Sequence, residues 1–291
     1  MINGEFLSLL ETSILDHPQL AVQGPWHLHA KGFTAGVWKN EAHQFLKISW
    51  ILQANETSVL ADWRSVLIGP HITPECLWCD TFYIEGHPVQ GLLMPSLGNS
   101  LPLIDKESLD WFLRNASPIL ACFDEACLPH YIQGNTFNSL IDWKENIKHG
   151  LYSNEWCLFQ SEAKRYGWDD VGQVVWNGDT HPGQFVMTEA GNFGMLDWSE
   201  AQWAPRWMPY MALIKWAERW NWKVRYFKNW PEVSPHAGRA YHWVRLAWLR
   251  RWEQEWGRGI IKKWGVIEDL ESIIEKRVEK EELALGLRMA P

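Results

Sequence analysis

The sequence predicts an α+β chain, with a small β-rich part over residues 1–97 and a larger, mostly helical part over residues 98–291. Three observations point there. Short apolar or alternating runs separated by turn residues fill the first third, which is the chemistry of strands. From Asp105 onward apolar residues recur at helical spacing, beginning with Leu109, Phe112 and Leu113. One stretch inside the helical part reverts to strand chemistry: Val174, Val175 and Trp176, then Phe185, Val186 and Met187, then residues 193–196.

In chain order, residues 1–30 combine apolar runs at 6–10 and 20–22 with Pro18, Gly24 and Pro25, which predicts a helix and then an extended lead-in. Gly32 and Gly36 precede an alternating run, so a turn is expected there, of the kind common in hairpins. Residues 43–50 read as a strand with Lys47 among apolar neighbours. An internal Lys wants an anion or a carboxylate, unless the strand is an edge strand that turns it to solvent. Asn55 suits a helix cap, and Val59, Leu60, Trp63 and Leu67 share one face of the helix that follows. Strands at 81–84 and 91–94 flank a turn at 85–88. Helical patterns then cover residues 137–147, 155–166, 208–222, 235–256 and 266–285. The last carries a stripe of Val266, Leu270, Ile273, Ile274 and Val278 opposite a charged, solvated face.

The strand-like stretch carries the chemistry. Its first loop reads Asn-Gly-Asp-Thr-His-Pro-Gly-Gln at 177–184, rich in residues that turn a backbone. A second turn at 188–192 suits a hairpin, and the next run ends in Leu-Asp-Trp-Ser-Glu at 196–200. A hairpin-like unit over 174–197 would therefore hold Asp179 and Asp197, eighteen residues apart, in fixed loops. Two carboxylates and the Gln184 amide, converging at strand ends, offer oxygen ligands to Mg2+ and a means of positioning a hydroxyl. An ordinary hairpin explains either Asp alone but not both motifs in order.

These two motifs resemble those of the aminoglycoside phosphotransferase family, the small-molecule branch of the protein-kinase-like superfamily. That family reads roughly His-Gly-Asp-x-His-x-Gly-Asn, then a strand, then Ile-Asp-Trp/Phe-Glu. Residues 177–184 and 196–200 match the frame in order and without a gap in the first motif. The resemblance implies a bilobal protein-kinase-like fold and an ATP- and Mg2+-dependent transfer of phosphate to a hydroxyl of a small molecule: an aminoglycoside, a sugar, an amino alcohol or a natural product. It implies Asp179 as catalytic base, Asp197 as the principal Mg2+ ligand, and Gln184 in the place of the usual metal-binding Asn. Trp198 and Glu200 would orient the metal loop, and His181 would serve structurally through a bond to backbone near Asp197. In the N-terminal lobe it implies that the turn at Gly32 and Gly36 covers the phosphates of ATP or another nucleoside triphosphate. Lys47 would hold those phosphates, with Glu56 or Asp62 as its carboxylate partner. The backbone of about Met94 to Ser96 would hydrogen-bond the base.

Two residues depart from the family pattern. Asn177 replaces its first His, although an Asn amide also donates, and Gln184 carries the Asn amide one methylene farther out. Together they leave a second expectation open, a weak or inactive pseudokinase that binds nucleotide or a protein partner. No Ala-Pro-Glu segment follows Asp197, which disfavours a protein kinase.

Composition narrows the rest. Hydrophobic residues make up 46% and charged residues 21%, as in a globular chain. The net charge of −8 disfavours bulk nucleic-acid binding and is compatible with a cationic acceptor. Five Cys argue against a disulfide framework, and Cys76 and Cys79 are expected as two buried thiols beside a strand. The first residues lack the basic and apolar segments of a signal peptide, and no run is long enough to span a membrane, so a cytoplasmic protein is expected. Nothing in the sequence fixes an oligomeric state. Twelve of the 22 Trp lie between Trp198 and Trp264, where the family binds its acceptor. Most should serve helix packing; the direction taken by Trp203, Trp207 and Trp243 decides whether any faces the acceptor.

Overall fold

The computed structural model describes residues 2–50, 73–101, 105–122, 140–168, 172–219, 236–256 and 259–289. The chain begins with helix α1 (Gly4–Asp16), capped by Asn3, whose side chain accepts from the Glu5 N–H at 2.8 Å. Phe6, Leu10 and Ile14, four residues apart, form its buried face. A short α2 (Pro18–Ala21) leads into an antiparallel sheet of β1 (Trp26–Lys31), β2 (Ala35–Asn40), β3 (Gln44–Ser49), β4 (Trp78–Ile84) and β5 (His87–Pro95). The spatial order is β1-β2-β3-β5-β4, so Lys47 lies on the central strand, opposite Val37 on one side and Leu92 on the other. That position excludes the edge-strand alternative. The β4–β5 turn has Glu85 and Gly86 both at positive φ, the geometry of a two-residue hairpin. The helix expected over 55–67, with Glu56 and Asp62, lies outside the described residues.

A link through β6 (Asn99–Ser100) reaches the helical part: α3 (Lys106–Cys122), α4 (Trp143–Gly150), α5 (Ser153–Tyr166), α6 (Met208–Glu218), α7 (Ala237–Arg251), α8 (Ile260–Trp264) and α9 (Leu270–Leu285). The α9 helix starts four residues later than the pattern predicts, because Gly265 and Asp269 take left-handed conformations. Helix α7 is central, buried along Ala240, Trp243, Val244, Ala247 and Leu249 between α4 and α9. Its Arg239 makes two 2.7 Å bonds to Glu162 of α5, and the Trp243 indole donates to the same carboxylate at 2.8 Å.

The stretch expected as one hairpin-like unit is divided between two sheets. Strand β7 (Gln173–Trp176) pairs with β10 (Gln202–Pro205), while β8 (Phe185–Met187) pairs with β9 (Phe193–Met195) and β6. A 3-10 turn at Pro182–Gln184 redirects the chain between them. Helix α3 fixes the β8–β9 hairpin by setting Phe112 edge-on to Phe185, with ring centroids 4.9 Å apart.

The Trp residues are mostly structural. Trp38, Trp143, Trp168, Trp176, Trp198, Trp207, Trp243 and Trp252 are each less than 2% exposed. The expected buried thiol pair is not formed: Cys79 lies exposed on edge strand β4, and Cys76 is half-buried. Among the described residues no helix is long and apolar enough to cross a membrane.

Candidate active site

The loop after β7 is locked by a relay of side chains. The Trp176 indole donates to Thr180 Oγ1 at 2.9 Å, and that hydroxyl donates to Asn177 Oδ1 at 2.6 Å. Asn177 Nδ2 then donates to the Asp197 carbonyl at 3.3 Å, joining the two motifs. Asn177 and Thr180 are both buried, so these polar groups need such partners. Gly178 sits at φ +91, and a Cβ there would overlap Glu200. The loop therefore turns tightly and leaves Asp179 at its tip, half exposed to a cleft.

Asp197 follows β9 in a left-handed conformation, with φ 58. Lys47 Nζ reaches it across the sheet and donates to Oδ1 at 2.8 Å, and Ser199 Oγ donates to the same oxygen at 2.7 Å. Gln184 Nε2 donates to Oδ2 at 3.2 Å. Burial alone would push this carboxyl up; the charge and hydrogen bond of Lys47, with the bonds from Ser199, overcome it and hold the value at about 2. Asp197 is thus a carboxylate at neutral pH. Among the described residues no three His, Cys, Asp or Glu side chains cluster as a metal site. A hard cation such as Mg2+ needs no more than one or two protein oxygens besides phosphates and water, so the Asp197 carboxylate and the Gln184 amide fit it by donor type. Ligation by Gln184 requires its amide turned, since its NH2 now faces Asp197.

Two hollows meet at Lys47, Gln184 and Asp197. One, of about 360 Å³, is an apolar slot between Val37, Phe45, Met94, Leu97, Val186 and Leu196. The other, of about 540 Å³, is the cleft that contains Asp179, floored by Trp216, Tyr241, Arg245 and Trp248 and flanked by Arg219 and Arg277. Arg245 Nη1 stands 3.6 Å from Asp179 Oδ1, an ion pair without hydrogen-bond geometry.

Of the residues singled out in the sequence, Lys47, Asn177, Asp179, His181, Gln184, Asp197 and Glu200 all line this cleft. The Glu200 carboxyl is pushed up by burial, against the pull of Arg251, whose Nη2 lies 3.1 Å away. Trp198 is fully buried and its indole donates to the Met195 carbonyl at 3.3 Å. The expectation for His181 is corrected: its Nδ1 accepts from the Gly183 N–H at 3.1 Å, and Nε2 lies 3.2 Å from the Gln184 amide. The bond to Asp197 backbone belongs to Asn177 instead. Burial, reinforced by Arg219 and Arg245 and opposed by Asp179 and Asp197, keeps the His181 imidazole below its ordinary value.

The turn expected from the glycines lies at the cleft, but only one of the two is in it. Gly32 lies in the β1–β2 turn at the cleft, but its N–H donates to the Ala35 carbonyl at 2.8 Å. Gly36 is in β2, and a Cβ there would stand 2.6 Å from the Trp38 ring, so it makes room for an indole. Met94 lines the slot, while the Ser96 N–H is engaged by the His43 carbonyl at 3.1 Å. Glu56 lies outside the described residues.

The same fold recurs in solved structures. Choline kinase LicA from Streptococcus pneumoniae superposes with a TM-score of 0.54 at 12% identity, over 98% of this chain and 100% of that one. An aminoglycoside 2'-phosphotransferase-IIIa in complex with GDP gives 0.53 at 11% identity, over 96% and 98%. Amicoumacin kinase hAmiN, in complex with AMP-PNP, Ca2+ and Ami, gives 0.51 at 10% identity, over 97% and 94%. No protein-family model matches the sequence, and no curated protein does. The chain has the fold of the small-molecule kinases. Its small lobe is the β-rich sheet and its larger lobe is mostly helical, the bilobal protein-kinase-like architecture.

Sequence reasoning missed several residues of this cleft. Trp216 and Trp248 face it, whereas Trp207 and Trp243 are in the core and Trp203 packs against it. Thr180 and Ser199 sit inside the motifs and were legible as hydroxyls near Asp. Arg219, Arg245 and Arg277 come from three separate helices with no motif around them, so only packing brings them together.

Proposed function

We propose that this protein is a phosphotransferase that moves the γ-phosphoryl group of ATP, or another nucleoside triphosphate, to a hydroxyl of a small molecule. The observation that carries it is the Lys47–Asp197 pair at 2.8 Å, set between an apolar slot and the cleft that holds Asp179. The slot accepts a planar base by shape and apolar contact. Lys47 offers a buried cation to the phosphates and keeps Asp197 ionised. Mg2+, held by Asp197 and Gln184, would supply charge neutralisation of the phosphates.

In the transfer, the bond between the γ-phosphorus and the β–γ bridging oxygen breaks and a bond to the acceptor oxygen forms. Asp179 takes the hydroxyl proton, and the nucleoside diphosphate leaves. Positioning does most of the work, and the relay through Thr180 and Asn177 supports it by holding the two Asp loops in register. On this reading the lobe boundary lies near residue 97, in the link that helps to line the slot.

A pseudokinase is the second reading, favoured by the hydrogen bonds already made to both Asp197 oxygens. ADP release from Mg·ATP separates the two. The transferase reading expects slow release by wild type, loss in Asp197→Asn, and a fall of about 10²- to 10⁴-fold in Asp179→Asn. ATP binding with no ADP release in any of the three identifies a pseudokinase.

A further inference from the structure

The cleft is basic, although the chain carries a net charge of −8. Arg219 ends α6, Arg245 is in the middle of α7, and Arg277 lies on α9. All three border the cleft and also a neighbouring hollow of about 410 Å³ that adds Lys215 and Lys280. The acidic groups around them are mostly engaged. Glu281 bonds His242 at 2.6 Å, Glu218 bonds Lys215 at 2.8 Å, Glu200 pairs with Arg251 at 3.1 Å, and Asp197 pairs with Lys47 at 2.8 Å. Asp179 is the remaining carboxylate of the cleft, and its one ion pair among the described residues is to Arg245, at 3.6 Å. Arg277 stacks on Phe33, 4.4 Å from its ring centroid, and Arg245 lies 4.8 Å from that of Trp248. These stacks orient the guanidinium planes without neutralising them. Burial, then Arg245 and Arg219, make the cationic form of Arg277 harder to hold, while Tyr241, Asp179, Glu281 and Glu200 favour that of Arg245.

We propose that the acceptor is an anionic alcohol, a small hydroxy compound carrying a carboxylate or a phosphate that Arg219, Arg245 and Arg277 bind beside Asp179. This rests on the phosphotransferase reading and names its acceptor class. The order of the hollows supports the assignment. The slot borders Lys47 and Asp197 but not Asp179 or the arginines, so the arginines lie beyond the base, on the acceptor side. Guanidinium forks match carboxylate and phosphate oxygens, and a polycationic acceptor would meet like charge. The acceptor's anionic group seats on the arginines, its hydroxyl faces Asp179, and its apolar part lies along Trp216 and Trp248. Phosphoryl transfer and proton balance are as above.

The test is binding to wild type saturated with AMP-PNP and Mg2+, followed by calorimetry. The probes are D-gluconate, D-glucose 6-phosphate, D-glucose, choline and kanamycin. An anionic probe should bind at least about 10-fold more tightly than D-glucose and the two cations. Gluconate or the sugar phosphate as the tighter ligand tells carboxylate from phosphate. In Arg277→Gln and in Arg219→Gln that affinity should fall about 10- to 100-fold, with AMP-PNP affinity changed less than about 2-fold. Two variants on different helices guard against loss of fold in one, and circular dichroism checks each. Tighter binding of choline or kanamycin overturns the proposal. So does an anionic probe that displaces AMP-PNP, which would give the arginines to the nucleotide, and so does no binding of either anion. Failure of wild type to bind AMP-PNP is a different result, because it removes the phosphotransferase reading itself.

Discussion

The two hollows that meet at Lys47 and Asp197 are built in opposite ways. The slot is made of strand residues and the link after them, from Val37 and Phe45 to Met94 and Leu97, and it is apolar. The cleft is made of loop tips and helix faces, and it is charged and aromatic. A sheet presents alternate residues to one face, so strand pattern and register shape much of the slot. The cleft depends on where α6, α7 and α9 come to rest against one another, which side-chain packing decides. Under the proposed function, the contrast would let the acceptor site vary while the nucleotide site is kept.

Breaking the cleft without touching the slot gives the largest effect. Asp179→Asn should lower turnover by about 10²- to 10⁴-fold while AMP-PNP affinity stays within about 2-fold, as kinetics and calorimetry would show. Lost nucleotide binding would instead mean that Asp179 holds the loop together. The Trp residues sharpen the comparison next. Trp207→Ala, in the core, should cost about 3–5 kcal/mol in denaturant unfolding, while Trp216→Leu, at the cleft, should cost far less and weaken acceptor binding. Narrowing the slot with Val186→Phe should weaken AMP-PNP about 10-fold and leave binding of anionic probes nearly unchanged.

The smallest effect lies at the junction itself. Asp197 is held at about 2, below its ordinary 3.8. Because the folded value is the lower one, the pair with Lys47 stabilises the nucleotide-free protein fully above about pH 4, and that contribution disappears as pH falls toward about 2. Asp197 is partly exposed, so the effect is under about 1 kcal/mol. Lys47→Met should move the acid-unfolding midpoint to slightly higher pH, and an unchanged midpoint would show that Lys47 contributes nothing there.

The legible part of the molecule is the part coded locally. Asn177 to Gln184 and Leu196 to Glu200 could be read because chemistry and spacing lie within a few residues, and Lys47 because a charge stands out in an apolar strand. Local patterns misled even at short range, where only the folded geometry shows which contact is made. Gly36 looked like loop chemistry, but its reason is the indole of Trp38. His181 was credited with the backbone bond that Asn177 makes, since both types can donate and only the fold selects one. Arg219, Arg245 and Arg277 lie on helices whose polar faces look ordinary in sequence, and their convergence is a tertiary fact. The acidic total charge is compatible with a cationic acceptor, but a sum over the chain says nothing about one cleft.

The central claim is that the Lys47–Asp197 junction binds a metal–nucleotide pair. Calorimetric titration of AMP-PNP into wild type and Asp197→Asn, each with and without Mg2+, tests it most directly. The account predicts that Mg2+ strengthens AMP-PNP binding to wild type by about 10-fold or more and that the variant loses this dependence. Nucleotide binding that ignores Mg2+ in both proteins, or no binding in wild type, would contradict it.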